Sequence, residues 1–327
     1  MLRLLCLCLM RIVIRMEKTS GYKCRFCAAC NGYGCRGELP GMGGVDDSAN
    51  FILNCADWGR FADEIGADAS GKPVSGKPVS GGRLNAEEVL PTLRLAPMTG
   101  AVQNLGYCDE KSWYFDIVEA CIAAGVPISI GDGYPDEKLQ YGIEALRANG
   151  AKGAVFIKPY PDGRILERFS WAEDVAEIIG IDIDAYAIAT MRDLVSLERK
   201  TAQQLVALKA AAPVPFALKG VFSRRDVELV REVKPDIAVV SNHGGRVPAE
   251  RGSSAAFLAG YGAELARYAG EVWVDGGIRH ARDLCTAGRL GARTVLVGRP
   301  FATALMKGGA PEVIAVAARL RGGISLT

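Results

Sequence analysis

From Thr92 onward the chain alternates short, almost wholly apolar runs with longer amphipathic stretches. The runs are Leu93 to Ala96, Pro127 to Ile130, Ala154 to Ile157, Ile181 to Ile183, Pro215 to Leu218, Ile237 to Val240, Val272 to Val274 and Thr294 to Val297. They are rich in β-branched residues and bounded by Gly or Asp, which predicts strands buried on both faces. Between them, segments such as Ser112 to Ala124, Glu137 to Ala148, Ser196 to Ala211, Arg225 to Val233 and Ala281 to Leu290 repeat apolar residues at three- and four-residue spacing and predict helices. Strand and helix in strict alternation imply a parallel sheet covered by helices, and eight such units are the number that closes a (β/α)8 TIM barrel. A doubly wound open sheet is the alternative, but no G-x-G-x-x-G fingerprint opens the first unit to support it.

Residues 16 to about 90 lack this rhythm. They are rich in Gly and Cys and read as an irregular extension, so the expected division is a leader over 1–90 and a barrel over 91–327. The direct repeat Gly71-Lys72-Pro73-Val74-Ser75 and Gly76-Lys77-Pro78-Val79-Ser80 has too few apolar residues for a core unit and predicts a surface turn or hairpin. At the amino terminus Leu4 to Met10 is apolar, but Arg3, Arg11 and Arg15 break the run well short of the roughly 20 residues a membrane span needs. No small-residue cleavage site follows, Met16 is an alternative start, and the chain is expected to be cytoplasmic.

Composition narrows the function. With 49% hydrophobic and 23% charged residues, the chain has the balance of one large soluble domain. Thirty-nine Lys and Arg against 37 Asp and Glu leave a net charge of +2, so no global basic field draws it to nucleic acid, and a small anion must be caught by a few placed residues. Most of the ten cysteines crowd into the first 55 residues. Cys24, Cys27, Cys30 and Cys35, spaced two, two and four apart, suit a tetrahedral zinc ion or an iron-sulfur cluster. A turn-rich lid of reduced thiols, or a reversible disulfide, is the competing reading. Cys6, Cys8, Cys55, Cys108, Cys121 and Cys285 form no such pattern and are expected to pack as small hydrophobes.

In a barrel of this kind the chemistry gathers at the carboxyl ends of the strands. The residues there are Pro97-Met98-Thr99-Gly100, Gly131-Asp132-Gly133, Lys158-Pro159-Tyr160, Asp184, Lys219-Gly220, Ser241-Asn242-His243-Gly244-Gly245-Arg246, Asp275-Gly276-Gly277-Ile278-Arg279 and Gly298-Arg299-Pro300. Polar and glycine residues dominate them. His243 and Arg246 offer a proton acceptor and a bidentate carboxylate clamp together. The chain's other histidine, His280, opens a helix and is expected to be a surface or capping residue.

Ser241 to Arg246 resembles the signature of the FMN-dependent 2-hydroxy-acid dehydrogenase and oxidase family, and the Cys-rich leader resembles that of a divergent branch of it. Phe216-Ala217-Leu218-Lys219-Gly220, Val274-Asp275-Gly276-Gly277-Ile278-Arg279 and Val297-Gly298-Arg299-Pro300 extend the resemblance over roughly residues 90 to 310. It implies FMN as cofactor and a small 2-hydroxy acid as substrate, with O2 or a redox partner taking the electrons and a homo-oligomer as the assembly. Carried over residue by residue, it implies that His243 is the base, Asp184 its supporting carboxylate, Arg246 the carboxylate clamp and Tyr160 a contact to the substrate hydroxyl. Lys219 matches the flavin N1 and O2 contact, where a cation stabilises the charge of the reduced ring. Ser241 and Asp275 flank these motifs on the cofactor side. Ala96, Pro97, Met98 and Thr99 resemble the segment along the flavin ring, and Ser129, Lys158 and Asp182 fall at polar flavin contacts. Gly276, Gly277 and Gly298 would admit a phosphate close to the backbone, with Arg279 and Arg299 as donors.

The match has gaps. Lys158 stands where Gln is usual, Asp182 where Thr is common, and Gly131 where an aromatic is expected. The family's second substrate arginine has no counterpart in register; Arg192 is one place out. Two other readings follow: a non-oxidative FMN enzyme of the type-two isopentenyl diphosphate isomerase kind, and a flavin or thiol redox sensor without catalysis.

Overall fold

The computed structural model describes residues 49–65, 90–102, 107–188, 191, 193–247 and 249–322. Eight strands run in parallel: β1 (Thr92–Leu95), β2 (Ser129–Gly131), β3 (Gly153–Ile157), β4 (Ala176–Asp182), β5 (Phe216–Val221), β6 (Ile237–Val240), β7 (Glu271–Asp275) and β8 (Thr294–Val297). Each pairs with its sequence neighbour from β2 through β8, and β8 pairs with β1. The last seam, between β1 and β2, is joined by Leu95 N donating to Pro127 O at 2.9 Å and by a parallel bridge of Met98 with Ile130. The sheet is the expected (β/α)8 barrel.

The helices in chain order are α1 (Ala49–Glu64), α2 (Glu110–Ala123), α3 (Glu137–Ala148), α4 (Asp162–Ala172), α5 (Ala202–Ala211), α6 (Arg224–Val233), α7 (Ser254–Leu265), α8 (Ala281–Arg289), α9 (Arg299–Gly308) and α10 (Ala310–Leu320). Local chemistry starts several of them. The Asp109 side chain accepts from Ser112 N, Ser223 from Asp226 N, and Thr201 and Gln204 form a capping box. That box explains why the helix predicted from Ser196 begins only at Ala202. No helix among the described residues is long and apolar enough to cross a membrane.

Two differences from the sequence expectation have physical causes. β4 begins at Ala176 rather than Ile181, because Glu177 and Gly180 hide the strand from a hydrophobicity pattern. Glu177 is at the barrel's amino end, 2.7 Å from Arg94 Nη2, and a Cβ on Gly180 would lie 2.5 Å from the Phe156 ring, so the barrel interior requires the gap. Within the stretch read as irregular, Ala49–Glu64 is a helix whose buried face carries Asn50, Phe51, Asn54, Trp58 and Ala62. The repeat at 71–80 lies outside the described residues. Of the scattered cysteines among the described residues, only Cys121 is fully buried, its thiol pushed up to about 12 by burial, while Cys55 and Cys108 are exposed rather than packed as hydrophobes.

Candidate active site

Successive residues of a strand alternate faces, so positions two apart share the barrel interior. The interior plug is Ala96, Ala154, Phe156, Ile178, Ala217, Ile237, Val239, Trp273 and Leu296. One pleat step further toward the carboxyl ends, the same faces carry Lys158 after Phe156, Asp182 after Gly180, Lys219 after Ala217, Ser241 after Val239 and Asp275 after Trp273. The apolar plug thus ends in a layer of charge.

A buried charge must be paired. Lys158 Nζ lies 2.5 Å from Asp182 Oδ2, and Lys219 Nζ lies 3.3 Å from Asp182 Oδ1, 3.4 Å from Asp275 Oδ2 and 3.4 Å from Ser241 Oγ. Burial pushes the Asp182 carboxyl up, but the Lys158 and Lys219 ammoniums overcome it and hold the carboxyl well below the ordinary range. Burial likewise works against the Lys219 ammonium, yet Asp182 and Asp275 keep it charged, above the usual lysine range.

A carboxyl held low in the fold contributes stability above its unfolded pKa of about 4, and that contribution fades as pH falls below this value. Asp182→Asn should therefore destabilise the protein at neutral pH by about 3–5 kcal/mol, because it strands the buried Lys158 ammonium and leaves Lys219 with Asp275 alone. Melting curves of the two proteins should converge as pH is lowered below about 4. A gap that persists unchanged into acid would show that the loss is steric.

After β6 the backbone turns through three consecutive left-handed residues, His243 (φ 54), Gly244 (φ 64) and Gly245 (φ 81). For histidine this conformation costs on the order of 1–3 kcal/mol and needs support from its surroundings. Asn242 Oδ1 accepts from Gly245 N at 3.1 Å, and His243 N donates to Ser241 Oγ at 3.1 Å. The turn aims Nδ1 of His243 at Asp184, 2.8 and 2.9 Å from its two oxygens, and sets Nε2 3.3 Å from Lys158 Nζ. Gly220 (φ 103) makes the space: a Cβ there would sit 2.4 Å from the Asp184 carboxyl carbon.

Helix α1 braces this turn from outside the barrel. Asn54 Nδ2 donates to Asn242 Oδ1 at 2.8 Å, Asn242 Nδ2 donates back to Asn54 Oδ1 at 3.2 Å, and Ser254 N donates to the same oxygen at 2.9 Å. Asn50 Nδ2 donates to Glu250 O and its Oδ1 accepts from Gly252 N, both at 2.8 Å. Trp58 Nε1 donates to Gly276 O at 2.8 Å, and the Arg299 guanidinium lies 4.2 Å from the Phe51 ring centre.

Most of the site residues expected from sequence fall into two groups. Ala96, Pro97, Met98, Lys219, His243, Arg246, Asp275, Gly276, Gly277, Arg279, Gly298 and Arg299 line one cleft. Lys158, Asp182, Asp184 and Ser241 stand behind its wall, in contact with His243 or Lys219. Thr99 and Tyr160 do not line the cleft. Thr99 Oγ1 donates to Glu110 at 3.1 Å. Tyr160 is buried under the Arg168 guanidinium, 4.2 Å from its ring, with its hydroxyl 3.5 Å from Gly133 O. Ser129 is buried at the start of β2, outside the cleft lining, and its Oγ has no hydrogen-bond partner among the described residues. His280 is the cap residue of α8, as expected. Cys24, Cys27, Cys30, Cys35 and Arg192 lie outside the described residues.

Sequence reasoning missed Asn54, Trp58 and the Asp132–Arg168 pair, in which Arg168 Nε donates to Asp132 Oδ2 at 2.9 Å with both side chains fully buried. Phe51, Asn54, Trp58 and Ala62 do follow helical spacing, and the asparagine within the apolar stripe is the signal that was available.

Residues 167–327 match the model of the FMN-dependent dehydrogenases. L-lactate oxidase of Roseobacter sp. (strain GAI101) is 38% identical over 131 residues, which are 39% of this chain and 34% of that protein. 2-Hydroxyacid oxidase of Dictyostelium discoideum is 35% identical over 129 residues, 39% of this chain and 32% of that one. The matches thus span about a third of the length of these curated relatives. In three dimensions the chain is similar to mandelate oxidase in its complex with benzoyl-formic acid, at TM-score 0.64 and 23% identity over 88% of this chain and 90% of the other, a likeness of fold. The dehydrogenase match begins within α4 and takes in β4 to β8, so it covers Asp182, Asp184, Lys219, His243 and both glycine turns.

Proposed function

We propose that the protein oxidises a small 2-hydroxy acid to the 2-oxo acid with FMN. The observation that carries this reading is His243, fixed through Nδ1 by Asp184 on the wall of a cleft that also presents Arg246, Lys219 and two glycine turns.

The residues present fit FMN. Asp275 Oδ1 is buried at the carboxyl end of β7, on the cleft wall, with no hydrogen-bond partner among the described residues, and the polar edge of a flavin ring would satisfy such an atom. Lys219 supplies a cation to a ring edge that gains negative charge on reduction, and Arg279 and Arg299 beside Gly276 and Gly298 suit a phosphate. When bound, FMN supplies the acceptor for the two electrons that leave the substrate with its C2 hydrogen. His243 takes the substrate hydroxyl proton at Nε2, and Asp184 supports the imidazolium that results. Arg246 holds the carboxylate as a bidentate donor. Tyr160, expected to contact the substrate hydroxyl, is buried beneath the Arg168 guanidinium and does not line the cleft, so this reading gives it no contact to the substrate. By likeness to the lactate and 2-hydroxyacid oxidases, O2 is the final acceptor this reading assigns.

The test is an anaerobic absorbance titration of the protein with FMN against lactate, glycolate and larger 2-hydroxy acids. Bleaching of the flavin band by one of them is the expected result and names the substrate class. A bound flavin that none of them reduces would overturn the oxidative reading in favour of non-oxidative flavin chemistry.

A further inference from the structure

Both ring nitrogens of His243 are engaged. Nδ1 faces the two Asp184 oxygens at 2.8 and 2.9 Å, and a carboxylate that only accepts requires a proton on Nδ1. Nε2 lies 3.3 Å from Lys158 Nζ. An N···N contact at that distance holds one proton between its two nitrogens: either the ammonium donates to a bare Nε2, or an Nε2–H donates to a neutral amine. The second contact of Lys158 decides between them. Its Nζ is 2.5 Å from Asp182 Oδ2, within a buried cluster where Asp182 is held ionised, so the lysine is the charged donor and Nε2 is bare.

The groups facing the imidazole are Asp184 beyond β4, Asp182 on β4 and Lys158 beyond β3, with Lys219 on β5 and Asp275 on β7 one contact further away. With the lysine removed, the nearest of these to Nε2 is Asp182 Oδ2 at 3.7 Å, an anion that favours a second proton on the ring.

We propose that Lys158 is a positioning residue for His243: anchored on Asp182, its ammonium donates to the Nε2 lone pair and keeps that nitrogen unprotonated. Four side chains then form one chain of hydrogen bonds, Asp184, His243, Lys158 and Asp182. The significance for turnover rests on the reading of His243 as the base; the hydrogen-bond assignment itself does not.

The chain has two histidines, which makes the imidazole nitrogens directly observable. Full-length protein labelled with 15N-histidine is measured at neutral pH without a hydroxy acid, and a His280→Gln variant assigns the second residue. The expected wild-type pattern for His243 is a protonated Nδ1 and a bare Nε2. In Lys158→Met the bare-nitrogen signal is expected to be lost as Nε2 gains a proton. A lysine that merely neutralises Asp182 would leave the His243 signals unchanged, and that result overturns the proposal. So does a wild-type spectrum with a proton on Nε2, which is decisive even if the variant fails to fold. Because no hydroxy acid is present, a flavin that resists every hydroxy acid would sink the proposed reaction and leave this assignment standing.

Discussion

Replacing His243 with alanine should slow flavin reduction by a 2-hydroxy acid by roughly 10²–10⁴-fold, the usual contribution of a placed general base, while FMN stays bound. The expectation follows from the division of labour at the strand ends. The proposed cofactor contacts, Lys219, Arg279 and Arg299, sit on β5, in the loop beyond β7 and at the start of α9, whereas His243 sits in the turn after β6. Removing the imidazole leaves them in place. It also leaves Asn242, which orders the turn through its own side chain. Anaerobic stopped-flow absorbance gives the reduction rate, and quenching of flavin fluorescence on binding gives the FMN affinity. Near-normal reduction by His243→Ala would remove the histidine from the mechanism. A matching loss of FMN affinity would instead make it a cofactor ligand.

Much of this arrangement was legible in the sequence, and the reason is periodicity. Short apolar runs marked seven strands within a few residues, and the rule that chemistry gathers at the carboxyl ends of barrel strands picked out Lys219 and Asp275, which stand one pleat step beyond the interior plug. β4 was misplaced because its amino half answers to neighbours in space: Glu177 to Arg94 and Gly180 to Phe156. Site chemistry that depends on pairs across strands was equally invisible. Lys158 and Asp182 each looked like a departure from a family position, and only their 2.5 Å contact shows that the two departures belong together. Helix α1 went unread for a related reason, since an asparagine in an apolar stripe suggests a broken helix until the reciprocal amide on Asn242 is seen.

That helix also changes the meaning of a glycine. From sequence, Gly277 reads as a place where a phosphate comes close to the backbone. In the fold, a Cβ on residue 277 would lie 1.8 Å from Asn54 O and 2.3 Å from its carbonyl carbon, so α1 itself already excludes a side chain there. Gly277→Ala should cost about 3 kcal/mol or more, summing an overpacking of backbone against backbone with the penalty of a left-handed alanine. Gly291 provides the control. It has a similar left-handed φ, 99 against 82, but nothing lies within 4 Å of its missing Cβ, so Gly291→Ala should lose only about 1–2 kcal/mol from the backbone conformation alone. Chemical denaturation measures both, and limited proteolysis should cut the Gly277→Ala variant within α1 before the barrel is attacked. Displacing α1 withdraws Asn54 from Asn242 and Trp58 from Gly276, so the same variant should also bind FMN more weakly, whereas Gly291→Ala should bind it normally. Equal losses of stability in the two variants would mean that backbone conformation, not the packing of α1, fixes glycine at 277. Unequal stability with unchanged FMN affinity would mean that α1 holds the fold together without shaping the cofactor turn.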